Sequence, residues 1–514
     1  MRNSKTALVG TAPLVLALGL SACSFSGGAG GAASASGGRN VTISMQFTPK
    51  SNFALETDDA FVLSQLGCME TLVRYDDETG KLEPALATAW KQAAPTQWDF
   101  TLRPGVVFQN GTKLTAQTVA DDLNRALKAE TPARAFKPSV VSSVAALDDT
   151  TVRVTTPKPS PLVPYRVASV NTGILAPQAF KGNGVDPIGT CTGPFTATAY
   201  TPGQSMTLTR NDRYWGKKAS IAGVNAKFVP EGATRATQVR TGESDIAMAV
   251  PASSLADLKS DKSVVVSHAV SPRTTGLYFN TSKAPFDNPD LRKAVQAAID
   301  TSVIASQVYD GTAQPAIGPF SADEPWSPKG SPVKQDLGKA KSLLAASGVD
   351  PTKLSLTLLG YTERPEFADL ATVIQSDLAK IGITVKVKIA DYAAIEPDLL
   401  SGKYDMALMS RNYIIDIPDP IGSLTSDYTC KGTFNISHYC DAQVDQQLES
   451  AASMPQAQDR NAVYAKVAQK LQDDAVTVFL VHEQTTAAVR STVKNFHDDP
   501  LSRVAITSAL AVAN

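Results

Sequence analysis

The sequence predicts a large α/β protein of irregular topology, on three observations. Stretches that alternate apolar and polar residues, such as "VTISMQF" (41–47) and "QWDFTL" (97–102), are interspersed with stretches of helical spacing. No internal repeat and no regular βαβ rhythm orders them. The chain has 514 residues, 43% of them apolar, enough for two to four domains and a sizeable core.

The N-terminus carries the clearest local signal. "MRNSK" supplies Arg2 and Lys5, and an uncharged, mostly apolar run follows as far as Leu20. This is the charged region and hydrophobic region of an export signal rather than a spanning helix. "LSAC" (20–23) resembles the lipobox of bacterial lipoproteins, which implies a signal peptide over 1–22 and lipidation of Cys23. The alternative is an ordinary signal peptide with an incidental cysteine. More than one acyl chain on Cys23 would hold the protein at a membrane surface. The Gly/Ala/Ser tract over 23–38 cannot form a core and reads as a flexible tether.

The folded body therefore begins near Arg39, in an oxidising exterior. Four further cysteines become disulfide candidates there. Cys430 and Cys440 bracket the short polar loop "CKGTFNISHYC", and Cys68 and Cys191 pair by elimination. The alternative for the second pair is two buried thiols. With 48 Lys and Arg against 49 Asp and Glu, the chain lacks the basic excess that nucleic acid demands. No later run is long and apolar enough to span a bilayer.

Along the body, the expected elements follow in order. A strand at 41–47 precedes a stretch of helical spacing over 60–75 ("AFVLSQLGCMETLVRY"). Two strand-like alternations lie on either side of "RPG" (103–105), with a turn at Asn110-Gly111. Thr115 is a plausible N-cap for the helix that follows. "TTVRVTTPKPSPLVPY" (150–165) is a strand ending in a proline-rich loop. Further on come a strand "GLYFNTS" (276–282), a helix opened by Pro289, and a helix closed by Gly348. "KLSLTLLGYT", "PEFADLATVIQSDLAKIG" and "ITVKVKIAD" (353–391) form the best parallel βαβ candidate. The strand "KYDMALMSRNY" leads into "NYIIDIPDP" (412–420). Asp416 thus lies just past the end of a strand, where ligands of open α/β sheets bind.

Five segments, kept in order, resemble the extracytoplasmic solute-binding proteins of peptide and nickel ABC importers, the family 5 dipeptide/oligopeptide-binding class. They are "CMETLVRYDDETGKLEPALATAW", "WDFTLRPGVVFQNGTKLTAQTVADDLNRAL", "GTCTGPF", "LTRNDRYWG" and "FNTSKAPFDNPDLRKAVQAAID". "GTCTGPF" departs from the family's Gly-Thr-Gly-Pro-aromatic segment by an insertion-like Cys191-Thr192. The resemblance implies two lobes of periplasmic-binding-protein type, closing about a hinge. Lobe I would comprise 39–59, 187–272 and 482–514, with a subdomain inserted over 60–186, and lobe II would run over 273–481. It also implies capture of di- or oligopeptides and their delivery to an ABC permease, by a monomer with no cofactor, no metal and no catalytic group, lipid-anchored to the outer face of the membrane.

In peptide-binding members an Asp four residues before the Pro of an acidic-Pro pair accepts the ligand's α-ammonium. Asp416 has that spacing to Asp419-Pro420. A carboxylate flanked by isoleucines is costly if buried unpaired, and an incoming ammonium relieves the cost. The structural alternative is a turn or helix cap. Tyr413 lies three residues before Asp416. Arg411 either reaches an anionic ligand group or pairs with Asp405 or solvent. Some dipeptide-specific relatives present an Arg before a proline to the ligand carboxylate, and Arg364-Pro365 stands at that place, its alternative being a solvated loop arginine. Trp326 and Tyr361 are candidates for cleft walls or ordinary packing residues. Phe53 and Glu56 are weaker candidates on the opposite wall.

Rival readings keep the fold and change the solute to an amine-bearing metabolite, an oligosaccharide or chelated nickel. A secreted hydrolase is the rival of another class, but the four histidines form no metal pair, and "HEQTT" (482–486) is only half of an H-E-x-x-H motif.

Overall fold

The computed structural model describes residues 38–182, 184–364 and 366–513. The export signal, the tether and Cys23 lie outside the described residues. So does Pro365. Among the described residues, no helix is long and apolar enough to cross a membrane.

One mixed sheet of eleven strands organises the chain. Its centre is a pair of long antiparallel strands, Val264–Phe279 and Thr477–Arg490. Their ladder shifts register between Val270 and Thr274, so each strand has two halves. Beside the Val264–Val270 half stand Ile246–Ala247, Asn40–Met45, Gly223–Phe228, Ser205–Arg210 and Phe195–Thr201. Beside the Thr274–Phe279 half stand Met406–Asn412, Leu356–Tyr361 and Val385–Ala390. The two halves serve separate hydrophobic cores. One gathers Val41, Ile43, Phe195, Leu208, Val224 and Val489, and the other Leu277, Phe279, Leu358, Ile374, Leu408 and Leu480.

The parallel βαβ expectation holds. Leu356–Tyr361 pairs in parallel with Val385–Ala390 and with Met406–Asn412. The connecting helix, Phe367–Ala379, buries Phe367, Leu370, Ala371, Ile374 and Leu378. These positions share one face, and burying each of the larger side chains is worth roughly 2 kcal/mol. Gly360 leaves room for the side chain of its partner on the paired strand: a Cβ there would stand 2.7 Å from the end of Ile389.

A third core belongs to residues 72–176. Four strands, Ala87–Ala94, Gln97–Leu102, Thr151–Thr155 and Ser143–Ala146, form its sheet. The helix Ala116–Leu127 covers it, and the Thr115 hydroxyl accepts from the Thr118 N–H as the sequence predicts.

Two expectations fail locally. Helical spacing over 60–75 yields only Asp59–Gln65, because the chain turns at Gly67 (φ +65°) and re-enters as the strand Val73–Asp76. The alternation after Arg103 forms a single bridge, Val107 to Lys113, since Gly105 takes a left-handed φ of +76°.

Three of the recognised segments meet in one half-buried cluster. The Glu70 carboxylate accepts from the Tyr214 hydroxyl (2.9 Å) and from Trp215 Nε1 (3.0 Å), and Arg103 lies 4.0 Å over the Trp215 ring. The "GTCTGPF" segment packs on the turn at Gly67-Cys68. A Cβ on Gly193 would meet the Gly67 oxygen at 2.4 Å. Cys191 and Cys68 face each other there with Cα atoms 5.6 Å apart, and Cys430 and Cys440 stand 4.3 Å apart.

Candidate ligand-binding cleft

The strand Met406–Asn412 delivers the chain to an irregular segment, residues 413–420, before the helix Ile421–Tyr428 begins. Ile414 and Ile417 point inward, each 3% exposed, and anchor the segment. Asp416 between them turns outward, its side chain 30% exposed. Both its oxygens accept from Arg134 Nε, at 3.1 and 3.0 Å. Arg134 belongs to the 72–176 body, so the ion pair links that body to the segment, beside a core that the two share through Ala135, Leu162, Ile414 and Ile417.

The capping alternative for Asp416 fails for a visible reason. Asp419 does that work: its Oδ1 accepts from the Ile421 N–H, and its Oδ2 accepts from Arg460 at 3.1 and 3.3 Å. Arg460 is 1% exposed and Asp419 3%. Among the described residues Asp416 is thereby left with no backbone partner and with a cation that is largely in solvent, Arg134 being 61% exposed. Arg134, Asp416, Asn412, Tyr413 and Ser423 border a cleft of about 20 Å³.

The remaining predicted residues divide. Tyr413 is buried, its ring edge-on to Phe320 at 5.0 Å, and its hydroxyl donates to Glu324 Oε1 at 3.2 Å. Burial pushes the Glu324 carboxyl up to about 7. Trp326 is buried in the same cluster, with an Nε1 that meets no partner. Tyr413 and Trp326 thus share a core with Ala135 and Leu162 of the 72–176 body, at the junction.

Arg411 does not pair with Asp405. It grips Asp427 through both oxygens at 2.8 and 2.9 Å and lies 3.9 Å over the Phe434 ring. Asp405 accepts from the Thr357 N–H instead. Arg364 is not a solvated loop arginine. It contacts Glu483 and Glu366, the latter at 2.9 Å, and donates to Ser410 Oγ at 3.1 Å. Burial works against its charge, but the Glu483 and Glu366 carboxylates outweigh it and hold the pKa above the ordinary value. Tyr361 packs edge-on against Phe367 and Tyr392 and accepts from the Ser410 N–H. The Arg411 fork is filled by Asp427, the Arg364 guanidinium is neutralised by Glu483 and Glu366 although its Nε makes no hydrogen bond, and the Tyr361 ring is covered. Phe53 is 1% exposed beneath Tyr200, and Glu56 stands 4.0 Å from Arg125.

Sequence reasoning missed the cations facing the segment. Arg134 sits in the loop "TPARAF", Arg166 ends the short helix Val163–Arg166, and Arg503 follows "DDPLS". Nothing local marks them, because their role depends on contacts hundreds of residues away. Arg503 Nη2 donates to the Ile414 carbonyl at 3.1 Å, which ties the C-terminal segment to the strand exit.

The family model described as bacterial extracellular solute-binding proteins, family 5 (middle), matches residues 81–435. A probable D,D-dipeptide-binding periplasmic protein of Escherichia coli K12 is 29% identical over 448 residues, covering 84% of this chain and 86% of its own. The crystal structure of NikA from Staphylococcus aureus in complex with Ni(L-His)2 superposes with a TM-score of 0.75 at 25% identity, over 92% of this chain and 100% of that one. The periplasmic binding protein DppA from Helicobacter pylori, in complex with the peptide STSA, gives 0.72 at 25% identity, over 93% and 98%. The fold is that of the two-lobed periplasmic binding proteins.

Proposed function

The chain belongs to the bacterial extracellular solute-binding proteins of family 5, and we propose that it captures short peptides between two lobes and presents them to an ABC permease. One observation carries the reading. Asp416, past the carboxyl end of a parallel strand, is held in the crevice by flanking isoleucines and, among the described residues, is met only by a solvent-exposed arginine. An exposed pair of this kind is worth about 1 kcal/mol or less. A ligand ammonium that reaches Asp416 as the lobes close on it gains a drier, charge-assisted hydrogen bond. The small volume beside Asp416 means that entry requires the lobes to part, and ligand then favours the closed arrangement by binding it better.

The register shift at Val270–Thr274 is the natural hinge, because both central strands change cores there. Lobe I would take 39–59, 187–272 and 482–514, with 60–186 inserted, and lobe II 273–481. Tyr413 and Trp326 supply walls near the junction. The carboxylates that neutralise Arg411 and Arg364 favour a packing role for both. The two cysteine pairs are disulfides in this reading, and Cys23 carries the lipid anchor that keeps the protein at the outer face of the membrane.

Relatives bind nickel complexes as well as peptides, so the solute is the point to test. Native mass spectrometry of the purified protein, before and after incubation with a mixed di- to pentapeptide pool, reads it directly. Peptide masses on the protein support the proposal. Uptake of a nickel–histidine complex with no peptide uptake would overturn it.

A further inference from the structure

His482 and Glu483, which open the half-motif "HEQTT", stand at the register shift of the two central strands. There Thr477–Arg490 pairs on one side with Val264–Phe279 and on the other with the short strand Ala313–Pro315. His482 is opposite Thr274 in the first ladder and Gln314 in the second. Its ring is buried, and both nitrogens are bonded. The Ile317 N–H donates to Nε2 at 3.2 Å, so the lone pair is on Nε2 and the proton on Nδ1. Nδ1–H donates to Thr274 Oγ1 at 2.9 Å, and the Thr274 hydroxyl donates onward to the Pro319 carbonyl at 2.9 Å. Burial lowers the His482 pKa to about 3, which keeps the ring neutral, as this two-sided bonding requires.

These bonds fasten residues 317–319 to the central strands, and the residues that follow are fastened to the cleft. Phe320 stands edge-on to Tyr413, the Ser321 N–H donates to the Tyr413 hydroxyl at 3.4 Å, and that hydroxyl donates to Glu324. Tyr413 borders the cleft, three residues before Asp416. Glu483 makes a second tie to the same strand exit. Its Oε1 accepts from Thr275 Oγ1 at 2.7 Å and from Ser410 Oγ at 2.6 Å, and Ser410 lies three residues before Tyr413. An apolar side chain could fill the space of a buried imidazole. A ring whose two nitrogens bond two different elements also fixes how those elements stand to each other.

We propose that His482 is a positioning residue that carries the state of the hinge to the cleft. As the central strands turn about the register shift, the ring and Thr274 take residues 317–321 with them, and these set Tyr413 and the segment that bears Asp416. A solute that fixes Tyr413 then biases the hinge in return, since coupling between two sites is reciprocal. The proposal rests on the hinge assigned above and not on the identity of the solute.

The test is a double-mutant cycle on the whole protein. His482→Ala removes both ring contacts, and Tyr413→Phe removes the hydroxyl that joins Ser321 to Glu324. Native mass spectrometry reads loading from the di- to pentapeptide pool, at a temperature where every variant is folded. Each single variant should load roughly five-fold less, the worth of one buried hydrogen bond. The double variant should load no worse than the weaker single, because both changes cut the same connection. His482→Gln, whose amide offers a donor and an acceptor, should regain part of the loading. If His482→Ala does not fold, Thr274→Val, which removes the hydroxyl between the ring and Pro319, takes its place in the cycle. A purely structural His482 would lower the urea midpoint and leave loading unchanged, and that result overturns the proposal. Losses that multiply in the double variant overturn it as well. Hydrogen exchange needs no solute: the His482 or Thr274 variant should exchange faster over 413–424 as well as over 317–321. An unaltered protein that loads no peptide removes the peptide reading alone, and exchange then decides, since an unchanged rate over 413–424 overturns the coupling.

Discussion

Arg134 and Asp416, separated by 282 residues, form an ion pair across the junction between the 72–176 body and the segment that follows the strand Met406–Asn412. The contact is made by one nitrogen, Nε, and not by the two-pronged fork. Its exposure keeps it weak, and it occupies the carboxylate that the proposed ligand needs.

Removing the competing cation should therefore help the ligand. Arg134→Gln is expected to change the unfolding free energy by about 1 kcal/mol or less in urea, and to raise affinity for amine-bearing peptides by up to about five-fold. Calorimetry on both proteins checks this. A large loss of affinity would make Arg134 itself a ligand contact.

Arg411 and Asp427 behave oppositely, because their pair is bidentate and Asp427 is 5% exposed. Asp427→Asn leaves a guanidinium largely buried without its counter-charge and should cost about 3 kcal/mol of stability. Arg411→Met combined with Asp427→Asn should recover much of that loss. Urea unfolding of the single and double variants decides the matter, and peptide loading at a temperature where all are folded should stay unchanged.

The pH dependence of stability follows from three buried groups. Burial raises Asp122 to about 8 and Glu324 to about 7, and lowers His482 to about 3. The two acids bind protons more tightly when folded, so their contribution is full below the unfolded carboxylate pKa and is lost as pH rises through their folded values. His482 binds its proton less tightly when folded, so its contribution is present above about 6.5 and is lost as pH falls below it. The opposing slopes overlap under acid conditions. Between pH 6.5 and 8 the acids act alone, and stability should fall there. Urea midpoints of Asp122→Asn should show that decline flattened, while Glu324→Gln should flatten only its part below about pH 7.

The cysteine pairs differ in the loops they close. A bond between Cys68 and Cys191 spans 123 residues and one between Cys430 and Cys440 spans 10. Chain-entropy reasoning gives about 5 and about 3 kcal/mol respectively. Peptide mapping without reductant should recover both linkages. Replacing Cys68 and Cys191 together by Ala should lower the urea midpoint more than replacing Cys430 and Cys440.

Much of the framework could be read from local pattern. Helical spacing from Phe367 to Leu378, set between two alternating runs, announced the parallel unit, and Thr115 and Pro289 marked helix starts that the structure keeps. The run from Ala60 to Tyr75 misled because its apolar residues serve two cores: Leu63 faces one and Leu72 the other, with a left-handed glycine between. Asp416 could be found from its place after a strand and its spacing to Asp419-Pro420. Its partners could not. Arg134 and Arg503 reach the segment only through tertiary packing, and Arg411 and Arg364 found intramolecular carboxylates that no spacing in the sequence reveals.

The central claim, that Asp416 accepts the ligand's ammonium, is tested most directly by loading Asp416→Asn with the di- to pentapeptide pool and an N-acetylated copy of it. Loss of an ammonium partner in a dry site costs a few kcal/mol, so the variant should load free-amine peptides at least ten-fold less than the unaltered protein, and neither protein should load the acetylated pool. Equal loading of the free-amine pool by both proteins would contradict the account.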